Sequence, residues 1–413
     1  MNRVEILENL KRCARCGKCR AVCPLVAEEK RESSGARGKV EVIQVMEEGL
    51  DFPPGELSSF FDNCLLCGRC EVACPNRVET VSLFAQARSH IAGKQGLPLG
   101  KRAFLAASTA PGLAWSIAAK AGNAVARAFL EKIPSESGIF YRIPSFLPSG
   151  GRLIPRLPGK SFLDEKGVSL ERGVEDSPLL FTGCVFNHVY PEVLVDAVRH
   201  LEGAIPPREQ TCCGLPAYAA GDMERAYSAA RKNISIFSRG SGPIYVPCAS
   251  CLYTLREVYP RLFAGSEMER EAREFSARIL PLEEALAPSR FSGTGVLEGV
   301  RVAFHRPCHL KLFPKVISGV YTLLEELFGD RLVRGEWDDA CCGFGGTFNI
   351  SNYATSSRMG ERKIALAAEK GVDIILTSCS GCIHHLRESA ARSGFPVKVL
   401  HLSQVVPAAR VDT

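Results

Sequence analysis

The sequence predicts a mixed architecture, with a helical N-terminal domain followed by two copies of an α/β unit. Three observations predict it. A four-cysteine spacing occurs twice within residues 1–95, a five-cysteine pattern occurs once each in 177–286 and 300–413, and apolar runs alternate with helical periodicity across those later copies. At 413 residues and 46% hydrophobic content, the chain can bury more than one core.

The 18 cysteines narrow the chemistry first. Usage that heavy means a disulfide framework, zinc or iron–sulfur clusters. The N-terminus MNRVEILENLKRCARC is charged throughout and Cys13 leaves no room for a cleaved signal, so cytoplasmic residence is expected. A reducing cytoplasm keeps thiols free, which favours metal ligands over disulfides. The formal charge of +6 counts every cysteine as neutral. A 4Fe-4S core of about +2 held by four thiolates contributes about −2, so two such clusters offset about 4 of the positive charges. The basic balance therefore gives no argument for nucleic acid. No Walker loop, dinucleotide fingerprint or Ser/His/Asp order stands out, and no catalytic residue is assigned. The glycines of GFGGTF lack the preceding strand and following acidic partner of a nucleotide site.

In residues 1–95, Cys13, Cys16, Cys19 and Cys23-Pro24 match CxxCxxCxxxCP, and Cys64, Cys67, Cys70 and Cys74-Pro75 repeat it. One loop wraps three corners of a cubane while the fourth cysteine is carried to the other cluster. Crossed ligation follows, with Cys13, Cys16 and Cys19 joined by Cys74, and Cys64, Cys67 and Cys70 joined by Cys23. Zinc normally uses separated CxxC or CxxxH knuckles instead of a four-cysteine run ending in proline. Between the copies, Val40, Ile43, Met46 and Leu50 keep helical spacing, Leu57, Phe60 and Phe61 continue it, and Val81, Phe84 and Ile91 do so beyond the second copy. That long helical insert predicts an α-helical ferredoxin. Lys11, Arg12, Arg15, Lys18, Arg20, Arg69 and Arg77 lie among the ligands, where they offset cluster charge or form a solvated surface.

Residues 96–176 turn to Ala, Pro, Gly and Ser, and RIPSFLPSGGRLIPRLPGK predicts an extended connector that follows a protein surface. The longest uncharged stretch, Ala103 to Ala119, is interrupted by Pro111-Gly112 and falls short of the roughly 20 residues a membrane span needs. A buried or interfacial segment is expected there.

The first α/β copy carries Cys184, Cys212, Cys213, Cys248 and Cys251, and the second Cys308, Cys341, Cys342, Cys379 and Cys382. Apolar runs LLF, IYV, VAF and IIL predict short buried strands, and ERAYSAARKNISIF and ERKIALAAEKG predict helices. A Gly/Ser/Pro stretch near 287–299 predicts a hinge between the copies. Five thiols exceed what a cubane needs, so one stays free or bridges two irons in a noncubane cluster. Adjacent cysteines converge on one centre only across a sharp turn, which Gly214 and Gly343 permit. Cys251 and Cys382 are each expected to open a helix, with free N–H groups facing the cluster. His188, His305, His309, His384 and His385 lie near these sites as ligands, proton donors or hydrogen-bond partners of sulfur, or as second-layer and surface residues.

CARCGKCRAVCP, CLLCGRCEVACP, TCCG with CASC, and ACCGFGGTF with CSGC together resemble the CCG-domain iron–sulfur family. Its members include iron–sulfur subunits of glycolate oxidase, lactate dehydrogenase and anaerobic glycerol-3-phosphate dehydrogenase systems, and the CCG-bearing subunit of heterodisulfide reductase. The resemblance covers nearly the whole chain and is weakest in 96–176. SSGARGKVEVIQVMEEG looks like the glycolate oxidase subunit, and CCGFGGTF looks like lactate-utilisation proteins. It implies an electron-transfer subunit with two cubane 4Fe-4S clusters and one or two further clusters, cubane or noncubane, at the CCG sites. It also implies a flavoprotein partner that oxidises lactate or glycolate, and a quinone or membrane cytochrome as acceptor. The alternative it implies is disulfide reduction at a CCG centre, as in heterodisulfide reductases. The chain itself is expected to be cytoplasmic or peripheral on the inner face of the membrane.

Overall fold

The computed structural model describes residues 3–109, 112–146, 150–169, 176–286, 297 and 299–406. The chain divides into two compact units, one of Met1–Ala106, Gly214–Ala229 and Gly343–Met359, the other of Ala107–Cys213, Ala230–Cys342 and Gly360–Thr413. The N-terminal unit thus includes two short segments from the later part of the sequence, which the cysteine repeats alone did not indicate.

Helices supply all the regular structure among the described residues of the first unit. Ala36–Glu47 and Pro54–Asp62 between the cysteine motifs and Thr80–Gln95 beyond them are its longer helices; they follow the predicted periodicity except at Leu50, which lies past the end of the first and is exposed. Their inward residues Val40, Ile43, Phe61, Val81, Phe84 and Ile91 are buried, with the Phe61 and Phe84 rings 6.3 Å apart. Enclosing each such side chain contributes roughly 1.5–3 kcal/mol, enough to close small loops around polar centres. In the two CxxC loops, Arg15 (φ 54°) and Leu66 (φ 49°) occupy the same position, just before Cys16 and Cys67, and both take the left-handed conformation. L-residues avoid that region, so the matched strain marks two loops shaped for one purpose.

The second unit contains nine strands among its described residues. β1 (Glu131–Ser135), β2 (Gly138–Arg142) and β3 (Leu153–Pro155) form an antiparallel sheet in that order. β4 (Leu179–Leu180), β5 (Ile244–Val246) and β6 (Ile279–Pro281) form a parallel sheet, with Leu179 opposite Ile244 and Ile244 opposite Ile279. β7 (Val302–Phe304), β8 (Ile374–Thr377) and β9 (Lys398–His401) repeat that arrangement, with Val302 opposite Ile374 and Ile374 opposite Lys398. The central and first strands of each copy are apolar runs that are buried or nearly so, as parallel strands covered on both faces require. The helices Met223–Phe237 and Tyr353–Glu369 fall on the predicted segments.

The connector differs from its extended prediction. It forms the helices Leu99–Ser108 and Gly112–Phe129, the β1–β3 sheet, and a helix Phe162–Lys166 opened by a Ser161–Asp164 capping box. Alanine-rich composition favours helix over extended chain. Pro134 and Pro155 sit in the outer strands β1 and β3, the strand positions that tolerate a missing donor. Phe140 and Leu153 pack on Ala391 of the Ser380–Ser393 helix, and Leu153 N–H donates to Glu388 at 3.3 Å. The uncharged stretch is split between two helices, and among the described residues no helix is long and apolar enough to cross a membrane. The predicted hinge near 287–299 lies outside the described residues except for Leu297 and Gly299.

Candidate metal centres

In the N-terminal unit two cavities are lined by cysteines. One has Cys13, Cys16, Cys19 and Cys74 in its wall; the other has Cys23, Cys64, Cys67 and Cys70. Each cavity thus takes three thiols from one loop and the fourth from the other repeat, the grouping that crossed ligation requires. Thr80 Oγ1 lies 3.1 Å from Cys70 Sγ, and backbone N–H groups of Leu66 and Val78 donate to Cys64 and Cys74 at 3.5 Å. Burial pushes the Cys70 and Cys23 thiols up, so a cation must displace their protons before they ligate.

Two buried cations, neither identified from sequence, serve the second cavity. Lys39 lines it, fully enclosed, and donates to the carbonyls of Ser33 and Ser34 at 3.1 and 3.4 Å. Burial pulls its pKa down while Cys64 and Cys23 push it up. Arg88 donates to the carbonyls of Phe61, Cys64 and Ala219, which fixes the loop that carries Cys64. A sequence signal existed, since each cation falls on the apolar face of its helix, Lys39 beside Val40 and Ile43, Arg88 between Phe84 and Ile91. Of the surface cations expected to offset cluster charge, Arg15 pairs with Glu41 at 3.0 Å and Arg20 with Glu32 at 3.2 Å.

In the second unit the ten remaining cysteines converge. Cys212 and Cys184 sulfurs are 3.5 Å apart, Cys342 and Cys382 3.4 Å, and Cys308 and Cys341 3.8 Å. The two five-thiol sets adjoin at Cys248 and Cys379, each of which lies against a serine of the other repeat. Serines reinforce the junction, with Ser380 Oγ 3.2 Å from Cys248 Sγ and Ser250 Oγ 3.2 Å from Cys379 Sγ. Ser380 N–H also donates to Cys248 Sγ at 3.4 Å, and Ala249 N–H to Ser378 O at 2.7 Å. Donors from its neighbours hold the Cys248 thiol well below its ordinary range, and Cys342 is held low by Cys341, Cys382 and His305.

The turn glycines have positive φ as expected, 85° at Gly214 and 92° at Gly343. The helix starts need correction. Cys248 and Cys379 are the N-caps, and Cys251 and Cys382 lie inside the first turn of Ala249–Tyr253 and Ser380–Ser393. The small residues Ala249-Ser250 and Ser380-Gly381 let each helix begin directly after its first cysteine.

Of the five histidines, His305 meets sulfur. It is fully buried, and a ring nitrogen lies with the Cys342 and Cys382 sulfurs in a group whose atoms are all within 4.8 Å of one another. Burial and Lys363 lower its pKa, and neither ring nitrogen makes a hydrogen bond among the described residues. His309 stacks on Tyr253 at 4.6 Å, and its Nδ1 is 3.0 Å from Ser250 Oγ. His188 packs on Trp115, His384 Nδ1 is 3.0 Å from Tyr190 Oη, and His385 faces Glu388 at 3.5 Å. Two further side chains, unremarked in the sequence, anchor the CC turns. Asn233 donates to Cys212 O and accepts from Thr211 N–H, both at 3.0 Å; Lys363 Nζ donates to Ala340 O at 2.9 Å and to Trp337 O.

Soft thiol donors in four sets, two of them around cavities and two interlocked in a buried core, fit iron–sulfur clusters and define an iron–sulfur protein. Comparison with known proteins agrees. The cysteine-rich CCG domain matches residues 179–256 and 302–387, and a 4Fe-4S dicluster domain matches 9–78. Lactate utilization protein A of Geobacillus kaustophilus is 31% identical over 235 residues, 55% of this chain and 98% of that protein. Lactate utilization protein A of Shouchella clausii is 30% identical over 233 residues, 55% of this chain and 97% of its own. An uncharacterized iron-sulfur protein of Methanococcus maripaludis is 24% identical over 401 residues, 94% of this chain and 69% of that one. The chain belongs to the CCG-domain iron–sulfur family, and it is related to Lactate utilization protein A.

Proposed function

We propose that this chain is the electron-transfer subunit of a lactate or glycolate dehydrogenase system, accepting electrons from a flavin-containing partner and passing them to quinone or another carrier. One observation carries the reading, namely that the two five-thiol sets adjoin, with Ser380 Oγ 3.2 Å from Cys248 Sγ and Ser250 Oγ 3.2 Å from Cys379 Sγ. The relatives named for lactate utilization favour a 2-hydroxy acid as the ultimate donor.

In this reading Cys13, Cys16, Cys19 and Cys74 hold one cubane and Cys64, Cys67, Cys70 and Cys23 a second. Cys184, Cys212, Cys213, Cys248 and Cys251 hold one CCG cluster, and Cys308, Cys341, Cys342, Cys379 and Cys382 another. Bound clusters supply one-electron redox chemistry. The chain's residues exclude water, hold thiolates with short donors, and place buried cations where negative charge accumulates. The test is anaerobic co-purification with neighbouring subunits. Lactate or glycolate should reduce the iron–sulfur signals through a flavoprotein, and clusters that no 2-hydroxy acid reduces with any copurifying flavoprotein sink the proposal.

The five-thiol sets favour a second reading, in which a CCG centre reduces a disulfide substrate. A reduced protein whose spectrum no disulfide alters removes it. We also place the chain in the cytoplasm at the inner membrane face. Ile117, Val125 and Phe129 are exposed on the Gly112–Phe129 helix, which carries Lys120 and Arg127 and no acidic residue.

A further inference from the structure

The two CCG copies share a backbone plan but differ in charge around their sulfurs. Phe181 follows β4, and its N–H donates to Tyr245 O, the partner of the strand's last residue, at 2.9 Å. His305 follows β7 in the same way, its N–H donating to Leu376 O at 2.8 Å. The same ladder position therefore holds an apolar ring in the first copy and, in the second, an imidazole with a ring nitrogen within 4.8 Å of the Cys342 and Cys382 sulfurs. The second helix after each CC turn repeats the contrast. Asn233, fully buried, anchors the first turn with a neutral amide that also donates to Tyr259 Oη at 3.1 Å. Lys363, 1% exposed, anchors the second with an ammonium that donates to Ala340 O, the carbonyl next to Cys341, at 2.9 Å. The loop residues add to the difference. Thr182 pairs with the neutral Gln210, whereas Arg306 and Lys311 share the single carboxylate of Asp339.

We infer that the second CCG centre has the higher reduction potential of the two, so that electrons crossing the Cys248–Cys379 junction run from the first copy to the second, with Lys363 and His305 as positioning residues that set this direction. The inference rests on the proposed function, since it requires clusters at both sites. Its physics is simple. Reduction adds one negative charge to a cluster, and a buried cation or an N–H directed at a ligand sulfur stabilises that charge more than a neutral or apolar neighbour does. Burial weakens screening, so the effect persists in salt. Lys363 Nζ donates to two carbonyls, Trp337 O and Ala340 O, the arrangement an ammonium makes.

The test is a potentiometric titration of the full-length, anaerobically prepared protein, followed by electron paramagnetic resonance, with iron and sulfide measured alongside. Lys363→Met should lower the midpoint of the higher-potential CCG signal by tenfold or more in its reduction equilibrium, about 59 mV for one electron. The other CCG signal and the two ferredoxin-type signals should not move. His305→Phe, which copies the first site's residue, should move the same signal in the same direction. Lys363→Arg, which keeps the charge, should restore it. Iron-replete Lys363→Met and His305→Phe variants with unchanged midpoints overturn the inference and leave the electron-transfer role intact. So does loss of iron from the second site in both variants, which assigns the two side chains to cluster retention. Absence of iron from the wild-type protein defeats the proposed function itself.

Discussion

Arg88 shows how much one side chain can hold in this protein. Its guanidinium satisfies the carbonyls of Phe61, Cys64 and Ala219 in a site that water does not reach. Replacing it with Met strands three buried acceptors at about 1–3 kcal/mol each. Arg88→Met is expected to lower unfolding free energy by at least about 3 kcal/mol, measured by denaturant titration, and to release iron from the Cys64 loop. Unchanged stability would show that these contacts are replaceable. Histidines give the protein a pH dependence of definite sign. His401 is enclosed and hydrogen-bonded to Pro247 O at 2.8 Å, and burial holds it down at about 4. Unfolded histidine titrates near about 6.5, so between those values the unfolded chain takes a proton that the folded chain refuses. Stability should therefore fall as pH drops from about 6.5 toward about 4, by on the order of 3 kcal/mol for this residue. His401→Gln should shrink the fall, and denaturation midpoints that stay level across the range contradict the assignment.

At the scale of elements, legibility followed chemistry. LLF, IYV, VAF and IIL were readable as strands because buried parallel strands must be apolar throughout. β6 and β9 were not. Ile279–Pro281 ends in a proline, Lys398–His401 carries a cation and an imidazole, and both are third strands of their sheets, where such residues fit. The β1–β3 sheet was hidden because its prolines and glycines signal turns as readily as short strands. Its anchoring residue gives a test. Phe140 is 1% exposed, and Phe140→Ala is expected to cost about 3–5 kcal/mol, seen as a lower thermal midpoint. The CC turns were legible from their glycines alone. At φ 85° and 92° an added Cβ costs roughly 1–2 kcal/mol of backbone strain, and at Gly214 it would also meet Ala226 O at 3.3 Å. Gly214→Ala and Gly343→Ala should each lower the iron content of one CCG site, and full iron loading in both would show that the turns tolerate a side chain.

Over the whole molecule, the cysteine positions identified the donor sets, while the contacts among the sets came from tertiary structure. A spacing pattern says which thiols share a loop; it cannot say that Cys248 of one repeat lies against Ser380 of the other. Buried cations were missed for a related reason. Lysines and arginines are read as surface by default, and Lys39, Arg88 and Lys363 break that rule where negative charge is to be held. The proposed membrane-face location belongs to this scale as well. Protein mixed with anionic vesicles should sediment with them, Ile117→Glu combined with Phe129→Glu should leave it in the supernatant, and wild-type protein that stays in solution contradicts the location.

The junction between the repeats also bears on biogenesis. Ser380 caps the thiol of Cys248 from 132 positions further along the chain, and Ala249 takes its partner carbonyl from Ser378. A ribosome that has synthesised only the first repeat has therefore not yet made the donors that Cys248 uses, and a fragment ending before Ser378 leaves Cys248 without Ser380 and the Ala249 N–H without its acceptor.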